Sequence, residues 1–93
     1  MTRIIVRRVI WNEANSEHIK KHNVTKEEVS IGVRNAAYHT QTYKNRYLVV
    51  GRSNRRILSV VVKRHAPTAY LVVTARDASK KERRRLYEKE QNK

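Results

Sequence analysis

The sequence predicts a single small α+β domain, and three observations lead to this prediction. The chain has 93 residues, a length typical of one domain. Segments with the apolar spacing of helices are mixed with short β-branched segments typical of strands. Three consecutive strand segments are separated only by short turns, which is typical of an antiparallel meander. The predicted order over residues 1–93 is β-α-α-β-β-β-α, with the sheet packed by helices.

The first predicted elements are a strand and a short helix. Residues 4–11 are rich in β-branched side chains, which favour a strand. Asn12 is a suitable N-cap for a helix over residues 13–22. Asn23 follows that helix at a position where the backbone often becomes left-handed, a conformation that asparagine tolerates.

A second helix is predicted to begin at the capping box of Thr25 and Glu28 and to end near residues 35–36. The residues that it would present to the core at helical spacing are Val29, Val33, Ala36 and Ala37. Residues 38–45 are polar and aromatic, and we interpret them as a loop.

The second half is predicted to contain three strands and a final helix. The strands are expected over residues 46–51, 57–64 and 69–76. The last two are apolar on both faces, which indicates central strands. Ser79 and Glu82 form another capping box, which begins a helix expected to reach about residue 90.

Charge indicates the class of partner. The chain has 22 Lys and Arg against 8 Asp and Glu, a net charge of +14 and a pI near 10.8. A compact domain this basic fits a polyanion, with nucleic acid favoured over an acidic protein and over an anionic membrane. Residues 47–93 carry most of the excess positive charge.

Composition argues against several other classes. There is no cysteine, so disulfides and cysteine metal sites are excluded. No apolar run approaches the roughly 18 residues of a membrane span, and residues 1–8 lack the pattern of a secretory signal. We therefore expect a cytoplasmic protein with no membrane partner. The sequence contains neither a glycine-rich phosphate loop nor a Gly-x-Ser-x-Gly turn, so we expect no nucleotide cofactor and no serine acyl transfer.

Metal binding has weak support in the sequence. His18 and His22 have the i, i+4 spacing that can hold Zn²⁺, but Ile19 stands where a His-Glu-x-x-His motif has its glutamate. Asp77 is the only aspartate, so the clustered carboxylates that hard cations need are not evident. We favour packing of one or both histidines beside Trp11, and a role at a binding or catalytic surface stays open.

Metal-free cleavage of RNA fits the residue types that remain. The ribose 2′-hydroxyl attacks the neighbouring phosphate, which requires a proton acceptor, a proton donor and cations around the phosphorane. A solvated charge is the simpler interpretation of any one surface arginine, although Arg76 stands out because it ends an apolar strand. The candidate cations are Arg52, Arg56, Lys63, Arg64 and Arg76, and the candidate proton carriers are His22, His39, His65 and Tyr87.

Two further features are compatible with RNA. Residues 80–85 put several cations at the start of the last helix, where the helix dipole disfavours them by a few tenths of a kcal/mol each. A phosphate or an acidic partner would relieve this, and a solvated helix face is the alternative. Lys80, Lys81 and Arg84 are therefore candidate RNA contacts. Tyr38, Tyr43, Tyr47 and His39 are candidates for stacking on bases, although core packing explains Tyr47 equally well.

Four stretches of the sequence stand out as motifs: residues 11–14 (Trp-Asn-Glu-Ala), 21–28 (Lys-His-Asn-Val-Thr-Lys-Glu-Glu), 50–61 and 75–85. In this order they resemble the motifs of BrnT-type toxins. The first two are similar to the family's W-D-x-A and K-H-G-V-S-x-E-E motifs, with Asn23 in place of the usual glycine. Residues 50–61 are similar to its I-G-x…R-x-L-x-V-V strands. Residues 75–85 are similar to its S-A-R-x-A-T-x-x-E-R-R signature. The blocks occur in the family's order between Trp11 and Tyr87.

The resemblance implies a RelE-like fold and a metal-independent ribonuclease toxin of a type II toxin–antitoxin pair, which cleaves RNA, expected to be mRNA. It also implies a small DNA-binding antitoxin whose dimer brings two toxins together. We hypothesise that Arg52, Arg56 and Arg76 bind and stabilise the phosphate. His22 or Tyr87 is the hypothesised proton carrier. The positions that match the family are Lys21, His22, Arg52 and Arg76, with weaker matches at Arg56 and Tyr87.

Two other functions stay open from the sequence. One is a basic module that holds RNA or DNA without cutting it. The other is a protein-interaction domain whose basic face binds an acidic partner. RNA cleavage in the presence of EDTA would exclude the first, and weak RNA affinity that is insensitive to salt would favour the second.

Overall fold

The computed structural model describes residues 6–43 and 45–91. Three helices and five strands follow one another in the order β-α-α-β-β-β-β-α, and the predicted α+β fold is confirmed with one strand more than expected. The elements are β1 (Arg8–Ile10), α1 (Glu13–Lys20), α2 (Lys26–Arg34), β2 (Ala36–Tyr43), β3 (Arg46–Ser53), β4 (Arg56–Ala66), β5 (Ala69–Asp77) and α3 (Lys80–Gln91).

The five strands form one sheet in the order β1-β5-β4-β3-β2. The four strands from β2 to β5 are the antiparallel meander, and β1 pairs with β5 in parallel. Because neighbouring strand residues point to opposite faces, the sheet has a hydrophobic core on each face. The larger core lies under α1 and α2 and includes Val29, Val49, Leu58, Val60 and Val72. The smaller core lies under α3 and consists of Tyr38, Val50, Ile57, Ala78 and Leu86.

Helix α3 leaves part of its side of the sheet uncovered. Its main contacts are with β2 and β3, and the parts of β4 and β5 that lie beyond it on this side keep contact with solvent. We call this region the open face and define it by Val61, Lys63, Leu71 and Arg76, each of which is half-buried or exposed.

The predicted loop at residues 38–45 is wrong, because β2 spans Ala36–Tyr43 and pairs with β3. It is an edge strand with mostly polar, exposed residues and an irregularity near each end, so the apolar alternation that identifies a half-buried strand is missing. The same element removes residues 36 and 37 from the predicted helix, since α2 ends at Arg34. Helix α1 ends at Lys20 rather than residue 22. Residues 4 and 5 of the predicted first strand lie outside the described residues.

The predicted capping interactions of α1 and α2 are confirmed. The Asn12 side chain accepts from the Asn15 amide at 2.9 Å. Both hydrogen bonds of the Thr25–Glu28 capping box are present. Asn23 adopts φ 56°, which is the left-handed conformation expected after α1. The α1–α2 turn therefore has a fixed geometry, and this geometry positions two of its carbonyl oxygens for the site described next.

A close contact between α2 and β3 requires glycine at position 51. A Cβ there would overlap the carbonyl oxygen of Gly32 in α2. Only a residue without a side chain permits this backbone approach. The contact fixes the end of β3 and, with it, the neighbouring Arg52.

Candidate active site

The predicted cations lie on two different faces of the sheet. Arg52, Lys63 and Arg76 lie on the α3 side, as strand alternation against the core residues requires. Arg56 and Arg64 lie on the side of α1 and α2. The structure thus brings some of the predicted cations together and separates the others by the thickness of the sheet.

Arg56 is surrounded by hydrogen-bond acceptors. Its Nε and Nη2 donate to the two carboxylate oxygens of Asp77 at 2.6 and 3.0 Å. Its Nη1 donates to the Asn23 carbonyl at 2.7 Å and to Glu28 at 3.2 Å, and Nη2 also donates to the His22 carbonyl at 3.2 Å. A guanidinium has five N–H donors, and these contacts use all five. Arg56 therefore ties the α1–α2 turn to β4 and β5, and its hydrogen bond lowers the pKa of Asp77.

Arg64 is held by aromatic rings at the other end of β4. Its Nε and Nη2 donate to the hydroxyl of Tyr70 at 3.1 and 2.9 Å. Its guanidinium carbon lies 5.7 Å from the ring centre of Tyr47. Tyr47 is buried in the larger core, with His39 at its edge. Core packing of Tyr47, rather than stacking on a base, is what the structure shows.

His22 and Lys21 follow α1 on the face opposite α3, and both are exposed. His18 is exposed as well, so neither histidine lies in the core, and their packing beside Trp11 stays a prediction. The Trp11 ring has Lys26 Nζ 5.7 Å from its centre. Among the described residues, no group of three or more His, Asp or Glu side chains is arranged to hold a metal ion.

Arg76, on the open face, is held along one edge of its guanidinium. Nη1 donates to Glu82 Oε1 at 2.9 Å and to the Asp77 carbonyl at 3.0 Å, and Nη2 donates to Glu82 Oε2 at 3.3 Å. These bonds use the terminal Nη1–Nη2 edge. Within residues 6–43 and 45–91, the other two-donor edge, formed by Nε and Nη2, has no hydrogen-bond acceptor. The side chain as a whole is 45% exposed, and a two-donor edge without an acceptor can bind a bidentate anion.

Glu82 accepts hydrogen bonds from three elements. Its Oε1 accepts from Arg76 on β5, from Ser59 Oγ on β4 at 2.8 Å and from the Ser79 amide at the start of α3 at 2.7 Å. Its side chain is only 15% exposed. Burial alone would raise the pKa of Glu82, but these hydrogen bonds outweigh it and lower the pKa from 4.5 to about 2. The carboxylate is therefore ionised at neutral pH.

A groove runs along α3 beside Glu82. It has a volume of about 470 Å³ and is lined by Tyr38 and Leu48 from the sheet and by three cations from the helix. The Arg85 guanidinium carbon lies 4.5 Å from the Tyr38 ring centre. The Tyr38 hydroxyl donates to the Glu82 carbonyl at 3.2 Å, and burial raises the pKa of this phenol. The cations are Lys81, Arg84 and Arg85.

Arg52 forms a second arginine–carboxylate pair on the α3 side. Its Nε and Nη2 donate to Glu90 at 2.6 and 3.1 Å, and its guanidinium carbon lies 5.6 Å from the Tyr87 ring centre. Arg52 also lines a cavity of about 490 Å³ with Leu86 and Lys89. Glu82 and Glu90 are eight positions apart on α3, about 12 Å along a helix. The two pairs are therefore separate contact points along one helix.

Glu82 and Arg85 are the site residues that the sequence did not reveal. Glu82 was explained by its capping box, and that bond is present, with the Glu82 amide donating to Ser79 Oγ at 3.2 Å. One signal was available, because Ser59 interrupts the apolar run of β4 and is 1% exposed. A buried hydroxyl needs a partner, and here the partner is Glu82.

The arrangement of elements is the fold of a small ribonuclease toxin. The 1.1 Å crystal structure of the Brucella abortus ribonuclease toxin BrnT matches the chain with a TM-score of 0.64 and 25% sequence identity. The match covers 78% of this chain and 97% of that chain. The resemblance to BrnT-type toxins is therefore confirmed at the level of the fold. No protein-family profile and no curated protein matches the sequence. In the described part of the chain, no helix is long and apolar enough to cross a membrane.

Proposed function

We propose that the protein is a metal-independent ribonuclease toxin of a type II toxin–antitoxin pair, acting as one domain that cleaves RNA, expected to be mRNA, and so inhibits translation. The observation that carries this proposal is the unoccupied Nε–Nη2 edge of Arg76, exposed on the open face of a fold shared with a ribonuclease toxin. The planar guanidinium fork matches two phosphate oxygens.

The proposed reaction is attack of a ribose 2′-hydroxyl on the adjacent phosphorus. The bond from phosphorus to the 5′-oxygen breaks, which leaves a 2′,3′-cyclic phosphate and a 5′-hydroxyl. Negative charge accumulates on the phosphorane oxygens, which the free edge of Arg76 would contact. A donor of this kind contributes about 10²–10³ in rate.

The RNA strand is proposed to lie across the open face and along α3. Lys63 on the open face and Lys80, Lys81 and Arg84 on α3 are exposed and would contact the backbone. The groove beside Glu82 is large enough for a base. Arg85, supported by the Tyr38 ring, would offer a planar surface on which that base stacks.

Of the two candidate proton carriers, Tyr87 is the one on the α3 side. It is 45% exposed and lies beside Arg52, for which we propose a second phosphate contact. His22 lies on the opposite face with Lys21 and Arg56. We therefore propose that Tyr87 donates its phenolic proton to the departing 5′-oxygen, while the proton of the attacking 2′-hydroxyl passes to solvent water, from which Tyr87 is protonated again. We propose no phosphate contact for Lys21, His22, Arg56 and Arg64.

The proposed protein partner is an antitoxin, a small DNA-binding protein whose dimer would hold two copies of this chain. The net charge of +14 would favour an acidic segment in that partner. The proposed site of action is the cytoplasm, where mRNA is translated.

Incubation of the purified protein with end-labelled RNA in EDTA tests the proposed function. We expect fragments that end in a 2′,3′-cyclic phosphate. Intact RNA in a stable gel-shift complex would instead indicate a binding module. If the RNA remains intact and its weak affinity does not change with salt, the proposal fails in favour of a protein-interaction domain, because phosphate contacts make affinity fall with salt.

A further inference from the structure

We infer that Glu82 is a positioning residue, which holds the Arg76 guanidinium so that its Nε–Nη2 edge stays directed at the open face. The inference rests on the proposed function, because it assigns the orientation of the arginine that would contact the phosphate. Glu82 itself would not touch the substrate.

The first argument is that hydrogen bonds fix both the side chain and the backbone of Glu82. Its carboxylate accepts from Ser59 on a buried strand and from the Ser79 amide. Its backbone carbonyl accepts from the buried Tyr38 hydroxyl. A carboxylate fixed by β4 and by the start of α3, on a backbone fixed by β2, provides a rigid support for the neighbouring side chain.

The second argument is that the Glu82 carboxylate binds the terminal edge of the Arg76 guanidinium and not the Nε–Nη2 edge. Glu82 binds the Nη1–Nη2 edge, and the Asp77 carbonyl takes the other Nη1 hydrogen. Rotation about the terminal bonds of the arginine would break these contacts. The remaining edge is therefore presented in one orientation, before any phosphate arrives.

A carboxylate beside a phosphate-binding arginine has opposite effects on binding and on turnover. Its negative charge repels the RNA backbone, which weakens binding of the ground state. Its hydrogen bonds orient Arg76, which lowers the barrier of the chemical step. Removal of the charge should consequently leave KM unchanged or lower while kcat falls.

Glu82→Gln tests the inference, because glutamine keeps the size of the side chain and removes its charge. We expect kcat to fall by about 10- to 100-fold, as a small misplacement of a catalytic group does, with KM unchanged or lower. In an Arg76→Ala background, Glu82→Gln should lower kcat no further, because the two residues act as one unit. A higher KM, or a further loss of kcat in that background, would overturn the inference.

Ser79→Ala is the matched control for the helix start. It removes the hydroxyl that caps the Glu82 amide but leaves the Ser79 amide and the Arg76–Glu82 pair. We expect a lower melting temperature with kcat retained. If Ser79→Ala and Glu82→Gln lowered kcat equally, the effect would come from the helix start and the inference would be wrong.

A measurement without catalysis separates this inference from the proposed function. In ¹⁵N-labelled protein, the two Nη groups of Arg76 should give distinct NMR signals while Glu82 holds them and a single averaged signal in Glu82→Gln. If the wild type does not cleave RNA, the proposed function fails, and this spectrum still decides whether Glu82 fixes Arg76. Unchanged Nη signals in Glu82→Gln would reject the inference in either case.

Discussion

Arg56 and Arg76 are near the same end of the sheet, on opposite faces, and they differ in what their guanidinium groups can still bind. Arg56 is 25% exposed and donates all five of its N–H groups to two carboxylates and two carbonyls. Arg76 is 45% exposed and keeps one bidentate edge without an acceptor in the described residues. The number of unused donors distinguishes a structural arginine from a candidate functional one, which residue type and charge do not.

The two arginines also differ in the charges that surround them. Arg56 is shared between Glu28 and Asp77, so two carboxylates already compensate its positive charge. Within the part of the chain that the structure describes, Arg76 has one carboxylate partner, and it lies beside a helix with many cations. The first cluster is expected to contribute to folding stability and the second to RNA chemistry.

The largest expected effect is that of Arg76→Ala on RNA cleavage. We expect the rate to fall by about 10²–10³, equivalent to about 3–4 kcal/mol of transition-state stabilisation. Arg76→Lys keeps the charge but loses the fork, so it should also be impaired. The measurement is a single-turnover cleavage assay.

Arg34→Ala is the matched control for this loss of charge. Arg34 is an exposed residue in the last turn of α2, so this substitution removes the same charge outside the open face. It should retain wild-type cleavage within a small factor. Equal losses in both variants would mean that only the net charge matters and that the two regions are not distinct.

Acid unfolding measures how much the ionised Glu82, the partner of Arg76, contributes to the stability of the fold. Because the folded-state pKa of Glu82 is lowered from 4.5 to about 2, the ionised group stabilises the fold above about pH 4.5, and this contribution is lost as the pH falls toward 2. The shift corresponds to about 3 kcal/mol. Urea unfolding measured across this pH range should show that the free energy of unfolding falls less in acid for Glu82→Gln than for the wild type.

Glu17→Gln is the control for the acid measurement, since Glu17 pairs only at the surface with Lys20 and exposed pairs contribute little. Its acid limb should follow that of the wild type. The pKa values of Glu28 and Asp77 are lowered too, so the Arg56 cluster also loses stability in acid. A Glu82→Gln curve parallel to the wild type would refute the assignment to Glu82.

The sequence was sufficient for most of the fold but only part of the site. Local rules predicted the Thr25–Glu28 box, the left-handed Asn23 and the meander, because each depends on neighbouring residues. The edge strand β2 was missed because its exposed polar side chains carry no apolar alternation. The pairing of Arg76 with Glu82, and of Arg56 with Asp77, depends on strand register and on the position of α3, which local patterns do not specify.

Arg56→Ala should lower the stability of the fold rather than the rate of RNA cleavage, in contrast to Arg76→Ala. We expect the free energy of unfolding to fall by about 1–3 kcal/mol, because two carboxylates and two turn carbonyls lose a charged donor. Cleavage by the folded protein should persist. Arg55→Ala, an exposed neighbour in the β3–β4 turn, is the control and should leave stability nearly unchanged. Loss of turnover in folded Arg56→Ala would place Arg56 in the active site.

The smallest expected effect is that of Asn23→Ala on the α1–α2 turn. Alanine disfavours the φ of 56° found at this position, so the substitution should cost about 1 kcal/mol of stability. Asn23→Gly should be close to neutral, because glycine adopts this conformation without strain.

Since the Asn23 carbonyl accepts from Arg56, the losses in Asn23→Ala and Arg56→Ala should be less than additive in the double variant. Asn23→Ala and Arg76→Ala should be close to additive in urea unfolding, because within the described residues no hydrogen bond joins the turn directly to Arg76 and the link runs only through Arg56 and Asp77. Strong coupling between the two substitutions would show that the two faces are not independent.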